Sequence, residues 1–183
     1  MTTFSISLRH DRRAALWAAW GFVLALALAS QLAIPVPGTP VPITLQPLVV
    51  VLAGLVLGPT VGAGAMVVYL LLGAVGLPVF APIGAPGLAR FVGPTGGYLL
   101  AYPAAAYVAG ALALRMPSLR GRWLAACAGI AMLFVGGLGQ LTILTGSVSR
   151  AVALGVTPFA ALDVVKAFIA AAITRPIARS ARD

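Results

Sequence analysis

Asp163 and Lys166 interrupt an apolar stretch, residues 158–173, that is otherwise free of charged side chains. Their spacing of three places both on one face of a helix, about one turn apart. A charge within a membrane-spanning segment is costly and by default marks a candidate functional site. The lysine suits a carboxylate and the aspartate suits N–H donors, so the pair favours a polar ligand site that opens outward. The alternative is a neutralising pair that only holds helices together.

Arg90 is a second candidate, and it lies in the Pro- and Gly-rich connection formed by residues 76–95. Long connections without secondary structure are commonly lids or binding loops. We therefore expect Arg90 to close over an anionic ligand. The alternative is an exposed loop arginine that meets lipid head groups.

Polar and aromatic side chains near the predicted outer ends of the apolar segments complete the candidate set. Thr44 and Gln46 follow a proline-rich connection, residues 35–42, and both can hydrogen-bond a ligand. Thr44 can equally cap the helix that follows. Aromatic residues at this end could wall a pocket, although as single residues they more often form an interfacial belt. These aromatic residues are Phe80, Phe91, Tyr98, Tyr102 and Phe159.

Signatures of enzymes are missing from the sequence. It has no Gly-rich phosphate loop followed by Lys and Ser or Thr. The single histidine, His10, lies near the N-terminus, and the single cysteine, Cys127, lies within an apolar segment. These residues cannot build a metal site or a Ser–His or Cys–His nucleophile, and only a Ser–Lys arrangement with Lys166 stays open. We therefore expect no enzymatic activity, no metal and no cofactor.

The composition indicates the class of protein that must position these residues. Of the 183 residues, 61% are hydrophobic and 8% are charged, and the mean hydropathy is +1.07. Soluble domains carry about 25% charged residues. The composition therefore excludes a disordered chain, a disulfide scaffold and a coiled coil. A soluble all-α domain is the less favoured alternative, because long segments offer no polar helix face to water.

Six apolar segments predict an all-α integral membrane protein, with residues 1–183 forming a single six-helix transmembrane domain. Each span needs about 20 mostly apolar residues, so the shortest segments would be tilted or sunken. The predicted spans are residues 14–32, 44–57, 60–75, 96–114, 123–145 and 158–173. Residues 1–13 and 176–183 are then cytoplasmic tails.

The basic residues predict the orientation of these spans, since Lys and Arg concentrate in cytoplasmic loops. Arginines cluster on the side of the N-terminus, whereas the opposite loops hold only Arg90 and Arg150. The clustered residues are Arg9, Arg12, Arg13, Arg115, Arg120, Arg122, Arg175, Arg179 and Arg182. Both termini are therefore predicted to be cytoplasmic in a multi-pass protein of the cell (inner) membrane. Because these arginines sit beside helix ends and meet anionic lipid, the net charge of +9 does not indicate a nucleic-acid partner.

Three ordered motifs make the chain resemble a known family. They are residues 41–46 (VPITLQ), 76–81 (GLPVFA) and 93–98 (GPTGGY), and the pair of Asp163 and Lys166 in the last span also matches. Together they resemble the BioY family, the biotin-specific substrate-binding (S) components of energy-coupling factor (ECF) transporters. The resemblance covers the chain from the first to the sixth span.

The resemblance implies a ligand and roles for individual residues. Members of this family have six transmembrane helices and bind biotin near the external face, under the first and third external loops. Asp163 would accept the ureido N–H groups of biotin, Lys166 would pair with its valerate carboxylate, and Arg90 would match the family's loop arginine. The remaining substrate-binding candidates are Thr44, Gln46, Phe80 and Tyr98.

The resemblance also implies partners. Two ABC-type ATPase subunits and a transmembrane coupling protein would reorient the S component and release biotin inside. Small residues recur four apart in the first span and would form the docking face for the coupling protein; they are Ala15, Ala19, Ala25 and Ala29. Two alternatives stay open: an S component for another vitamin, and a structural membrane protein in which Asp163 and Lys166 only tie helices together. Homo-oligomers also stay open.

Overall fold

The structure is a computed structural model that describes residues 12–179, with side chains described for residues 12–174. Residues 1–11 and 180–183, which hold much of the two predicted tails, lie outside the described residues. His10, Arg9 and Arg182 are among them. The last helix reaches Arg179, so residues 176–179 of the predicted C-terminal tail are helical.

The described chain is helical, with eight α-helices and one short 3-10 helix. The α-helices are α1 (Arg12–Gln31), α2 (Gln46–Leu57), α3 (Pro59–Ala74), α4 (Gly96–Leu100), α5 (Tyr102–Arg115), α6 (Leu119–Thr145), α7 (Val148–Gly155) and α8 (Ala160–Arg179). The 3-10 helix, Gly87–Val92, lies in the connection between α3 and α4. An isolated antiparallel bridge pairs Ile34 with Ile43 and closes the proline-rich connection before α2.

Two of the sequence predictions need correction. The predicted fourth span, residues 96–114, is not one continuous helix but breaks at Ala101 into α4 and α5. Pro103 in the first turn of α5 has no backbone N–H with which to continue the helix from α4. The predicted loop after the fifth span contains α7, which begins at Val148 because the Ser147 hydroxyl accepts the Arg150 backbone N–H.

The described helices fit a membrane environment. By length and composition α1 and α6 can each cross a membrane, and α7 with residues 160–174 of α8 passes the same test as a pair bent by 53°. Helices α2 and α3 are apolar but shorter. Large apolar side chains such as Trp17, Leu24 and Leu28 face outward along α1. Such a surface suits lipid and not water, so the soluble alternative is wrong.

Glycines allow the central helices to approach one another closely. A methyl group on Gly54 of α2 would overlap the Ala106 carbonyl of α5. A methyl group on Gly97 of α4 would likewise overlap the Gly136 carbonyl of α6. Small residues that let helix backbones meet are the usual means of packing helices within a membrane.

The place of Arg122 in a basic cluster predicted that it anchors the chain on lipid. The structure shows a different role for this residue of α6. It is buried and donates from Nε to Thr174 Oγ1 at 2.9 Å and from Nη2 to the Leu55 carbonyl at 3.0 Å. Leu55 lies in the last turn of α2, where backbone carbonyls lack helical partners. Arg122 therefore caps α2 and joins it to α6 and α8. Its neighbours Arg115 and Arg120 are exposed.

Candidate ligand-binding site

A cavity lies between the start of α2, the connection of residues 76–95 and the first turns of α8. The empty space within it, open solvent at its mouth included, is about 730 Å³. Its polar side chains are those of Thr44, Gln46, Arg90, Thr95, Asp163 and Lys166, and its aromatic ones are those of Phe80, Tyr98, Tyr102, Phe134 and Phe159. The fold therefore brings the seven predicted substrate-binding residues around one space, and their role in binding stays a prediction.

Asp163 and Lys166 form a buried ion pair in the wall of this cavity. Lys166 Nζ donates to Asp163 Oδ1 at 2.7 Å, and each side chain is 6% exposed. Because both residues belong to α8, this bond joins two turns of one helix and does not tie two helices together. One carboxylate oxygen and two ammonium hydrogens are left for a ligand. A neutral group that both donates and accepts hydrogen bonds would complement them.

Arg90 is buried in the 3-10 helix, so the alternative of an exposed loop arginine is wrong. Its guanidinium donates to the carbonyls of Ile83 and Ala81, the latter at 2.6 Å, and lies 6.0 Å from the centroid of the Phe80 ring. Burial lowers the pKa of Arg90 from its ordinary value, but a guanidinium stays charged at neutral pH. Its Nε is buried without a hydrogen-bond partner among the described residues. Arg90 thus brings a positive charge to the cavity wall.

Thr44 and Gln46 stand at the start of α2 and both line the cavity. Thr44 Oγ1 accepts the Gln46 backbone N–H at 3.3 Å, although the residue directly before the helix is Leu45. Thr44 therefore contacts the first backbone N–H of α2 without occupying the capping position, and it also lines the cavity. Gln46 is buried, and its Nε2 donates to Tyr69 Oη at 3.0 Å.

Aromatic side chains form one wall of the cavity and are held in place by their neighbours. Phe80 packs edge-on against Tyr69 and Phe91, with ring centroids 5.5 and 5.7 Å apart. Tyr98 Oη donates to the Gly155 carbonyl at 2.7 Å and so ties α4 to α7. Phe80 is buried and therefore walls the cavity instead of lying in an interfacial belt.

Two features of the site were missed by the sequence analysis. Tyr69 is the lone aromatic residue of α3, and a buried tyrosine hydroxyl needs a hydrogen-bond partner, but no local pattern says which. Helix α7 has a local signal, because Gly146 ends α6 in a left-handed conformation and Ser147 directly caps the next helix. The cavity also includes Thr95, which lies in the motif of residues 93–98, and Leu133 and Phe134, which carry no local signal.

The fold and the cavity define a helical membrane protein whose cavity is lined by charged and aromatic side chains. The sequence model of the BioY family matches residues 5–183. The chain therefore belongs to the BioY family. This is the family that the three motifs and the pair of Asp163 and Lys166 predicted.

Known relatives agree with this assignment. A protein of Pyrococcus horikoshii named as a probable biotin transporter BioY is 39% identical over 152 residues, which are 83% of this chain and 88% of the relative. The biotin transporter BioY of Thermotoga maritima is 39% identical over 140 residues, 76% of this chain and 82% of the relative. Both are named as transporters, so this is a family of transporters and not of enzymes.

A solved structure has the same fold. It is the crystal structure, at 2.1 Å, of the S-component for biotin from an ECF-type ABC transporter. It matches with a TM-score of 0.84 and 24% sequence identity, and the match covers 92% of each chain. The all-helical S-component fold predicted from the sequence is therefore confirmed for the described chain.

Proposed function

We propose that this protein is a biotin-binding S component that captures biotin in the cavity described above and passes it across the membrane. The observation that carries the proposal is the charge of the cavity lining. Asp163 and Lys166 cancel each other, and Arg90 adds one uncompensated positive charge. Biotin matches this arrangement, because it carries a neutral ureido ring at one end and a single carboxylate at the other. The names of the relatives support the same ligand.

The contact between Asp163 and Lys166 favours a change in the expected role of the lysine. The resemblance assigns the ureido ring to Asp163 and the carboxylate to Lys166, yet these two groups are 2.7 Å apart. The polar ends of biotin are separated by a bicyclic ring and a four-carbon chain. Both residues therefore meet the ureido end, where Asp163 accepts an N–H and Lys166 donates to the carbonyl oxygen.

Arg90 then binds the carboxylate of biotin. Its guanidinium can make a charge-assisted hydrogen bond, which is roughly twice as strong as a neutral one. Phe80 and Tyr98 would pack against the apolar rings and chain, and Thr44 and Gln46 would add hydrogen bonds. Biotin is the cargo in this account, and no cofactor takes part.

The wider assembly is also part of the proposal. We expect six spans with both termini in the cytoplasm, a position in the cell (inner) membrane, and coupling to a transmembrane protein and two ABC-type ATPases. The docking face would lie on α1. Ala15 and Ala25 are partly exposed there, Ala19 packs partly against the core, and Ala29 is buried. Docking at Ala29 would therefore need some movement of α1, and the other alanines are reachable.

The test is a ligand panel on the purified full-length protein in detergent, measured by isothermal titration calorimetry. We expect one biotin to bind per chain, with no heat from thiamine or riboflavin. Binding of thiamine or riboflavin in place of biotin would support an S component for another vitamin. If no ligand bound and none raised the melting temperature, a structural membrane protein would be the better account.

A further inference from the structure

Gln46 is the first member of a buried chain of hydrogen bonds that leads away from the cavity. Its Nε2 donates to Tyr69 Oη at 3.0 Å, and Tyr69 Oη donates to the Val79 carbonyl at 2.8 Å. Gln46 lines the cavity, whereas Tyr69 is fully buried behind it. The chain thus connects the cavity lining to the backbone next to Phe80.

The direction of these bonds follows from the chemistry of the groups. The Val79 carbonyl can only accept, so the single hydroxyl hydrogen of Tyr69 lies on that contact. Tyr69 must then accept from Gln46, and only the NH₂ group of the amide can donate. The amide oxygen of Gln46, Oε1, is therefore the polar atom left for the cavity.

The far end of the chain is held firmly. Ser30 Oγ lies 2.7 Å from the Val79 carbonyl, and Gln31 Nε2 donates to the Phe80 carbonyl at 3.1 Å. The Tyr69 ring packs between the rings of Phe80 and Tyr102, with centroids 5.5 and 6.2 Å away. The ring of Tyr69 is therefore held so that its oxygen stays between Gln46 Nε2 and the Val79 carbonyl.

We propose that Tyr69 is a positioning residue that holds the Gln46 amide with its oxygen toward the cavity, so that the site takes an N–H donor of the ligand there. This proposal rests on the proposed function. In biotin the N–H groups belong to the ureido ring, so Gln46 accepts one of them while Asp163 accepts the other. Tyr69 sets this preference without contacting the ligand.

A double-mutant cycle tests the coupling between the two residues. Tyr69→Phe keeps the ring and removes the hydroxyl, and Gln46→Met keeps the length of the side chain and removes its hydrogen-bonding groups. We expect each single variant to weaken biotin binding by about 3- to 10-fold, as for the loss of one hydrogen bond. The double variant should bind no more weakly than Gln46→Met alone, because Tyr69 acts through Gln46. Tyr107→Phe, at an exposed tyrosine of α5, is the matched control and should bind as the wild type does.

A second readout separates positioning from packing. An analogue of biotin methylated on its ureido nitrogens lacks the N–H donors, and the wild type should discriminate strongly against it. In Tyr69→Phe the released amide can also turn its NH₂ group to the cavity, so the ratio of the two affinities should fall. A packing defect would lower both affinities alike.

The outcomes are distinct from those of the proposed function. Additive losses in the cycle, an unchanged affinity ratio in Tyr69→Phe, or full biotin affinity in Gln46→Met would each overturn the role of Tyr69 while biotin binding by the wild type stands. Failure of the wild type to bind biotin would instead overturn the proposed function itself.

Discussion

Individual side chains give the cavity two chemically different parts. Asp163 and Lys166 form a pair without net charge, whereas Arg90 carries a positive charge whose Nε has no partner in the described chain. Both lie in surroundings of low dielectric, where hydrogen bonds and charge interactions are stronger than in water. A ligand with one neutral donor–acceptor group and one negative charge therefore fits better than a doubly charged or fully apolar molecule.

Removing one partner of the ion pair should weaken both stability and biotin binding. Asp163→Asn leaves the Lys166 ammonium buried without its counter-charge, and breaking a buried pair in this way costs about 3–5 kcal/mol. Lys166→Met added to Asp163→Asn removes both charges, so the melting temperature should recover. Biotin binding by this double variant should stay at least about tenfold weaker than that of the wild type. Thermal unfolding with and without biotin measures both effects, and wild-type affinity in the double variant would mean that the pair is only structural.

Arg90 should set the preference for a ligand carboxylate. We expect the wild type to bind biotin at least about tenfold more tightly than biotin amide, which lacks the negative charge. Arg90→Gln should reduce the affinity for biotin to that for the amide and leave the amide nearly unaffected. Titration calorimetry with both ligands measures this difference.

Arg150→Gln is the matched control for this prediction, since Arg150 is the other arginine of the predicted external segments and is exposed. It should leave both affinities unchanged. An equal loss of both ligands in Arg90→Gln would contradict the assignment and indicate that Arg90 only holds the connection of residues 76–95 in place.

Tyr98 of α4 fits into a narrow slot on α6 and α7, and this slot exists only because glycines line it. Methyl groups on Gly137 of α6 or Gly155 of α7 would overlap the tyrosine side chain, whose hydroxyl donates to the Gly155 carbonyl. Gly139, two residues further along α6, has open space around it. The packing of α4 against α6 and α7 therefore determines where this wall of the cavity stands.

Gly137→Ala and Gly139→Ala should accordingly have opposite effects. The first forces Tyr98 out of its slot, so the melting temperature in detergent should fall and biotin binding should weaken. The second adds a methyl group in open space, and replacing glycine with alanine within a helix stabilises it by up to about 1 kcal/mol. Thermal unfolding of the two variants measures the difference. If Gly137→Ala were as stable as Gly139→Ala and bound biotin equally well, the slot would not matter.

A residue of the site could be predicted from the sequence only where the neighbouring residues in the chain indicate its role. Asp163 and Lys166 stand out because charge is costly in an apolar helix, and their spacing fixes their contact. The burial of Arg90 depends on how residues 76–95 fold back over α3, which composition does not reveal. The bond between Gln46 and Tyr69 joins two helices and likewise has no local signature.

The same distinction applies to the helices. Most boundaries followed from runs of apolar residues and lie within a few residues of those predicted. The break at Ala101 and the short helix α7 could not be predicted from runs of apolar residues, because neither changes the average hydropathy of its segment. Proline at 103 and the Gly146–Ser147 junction are the local features that account for them.

Taken as one body, the protein combines a lipid-facing exterior with a largely apolar cavity that carries a few charged groups and lies among helix ends and connections. Its outward side chains along α1 are apolar, while the charged groups of the cavity are buried. This separation is what a subunit needs if it is to hold a polar vitamin within a membrane. The chain has no phosphate-binding motif for ATP, so the proposed coupling subunits would supply the energy for release.

The most direct test of the central claim is an experimental structure of the full-length protein with biotin bound. We predict biotin inside the cavity, with its ureido ring against Asp163 and Lys166 and its carboxylate within hydrogen-bond distance of the Arg90 guanidinium. The apolar rings and chain should lie against Phe80 and Tyr98. A cavity that stays free of biotin at saturating concentration, or biotin bound outside it, would contradict the account.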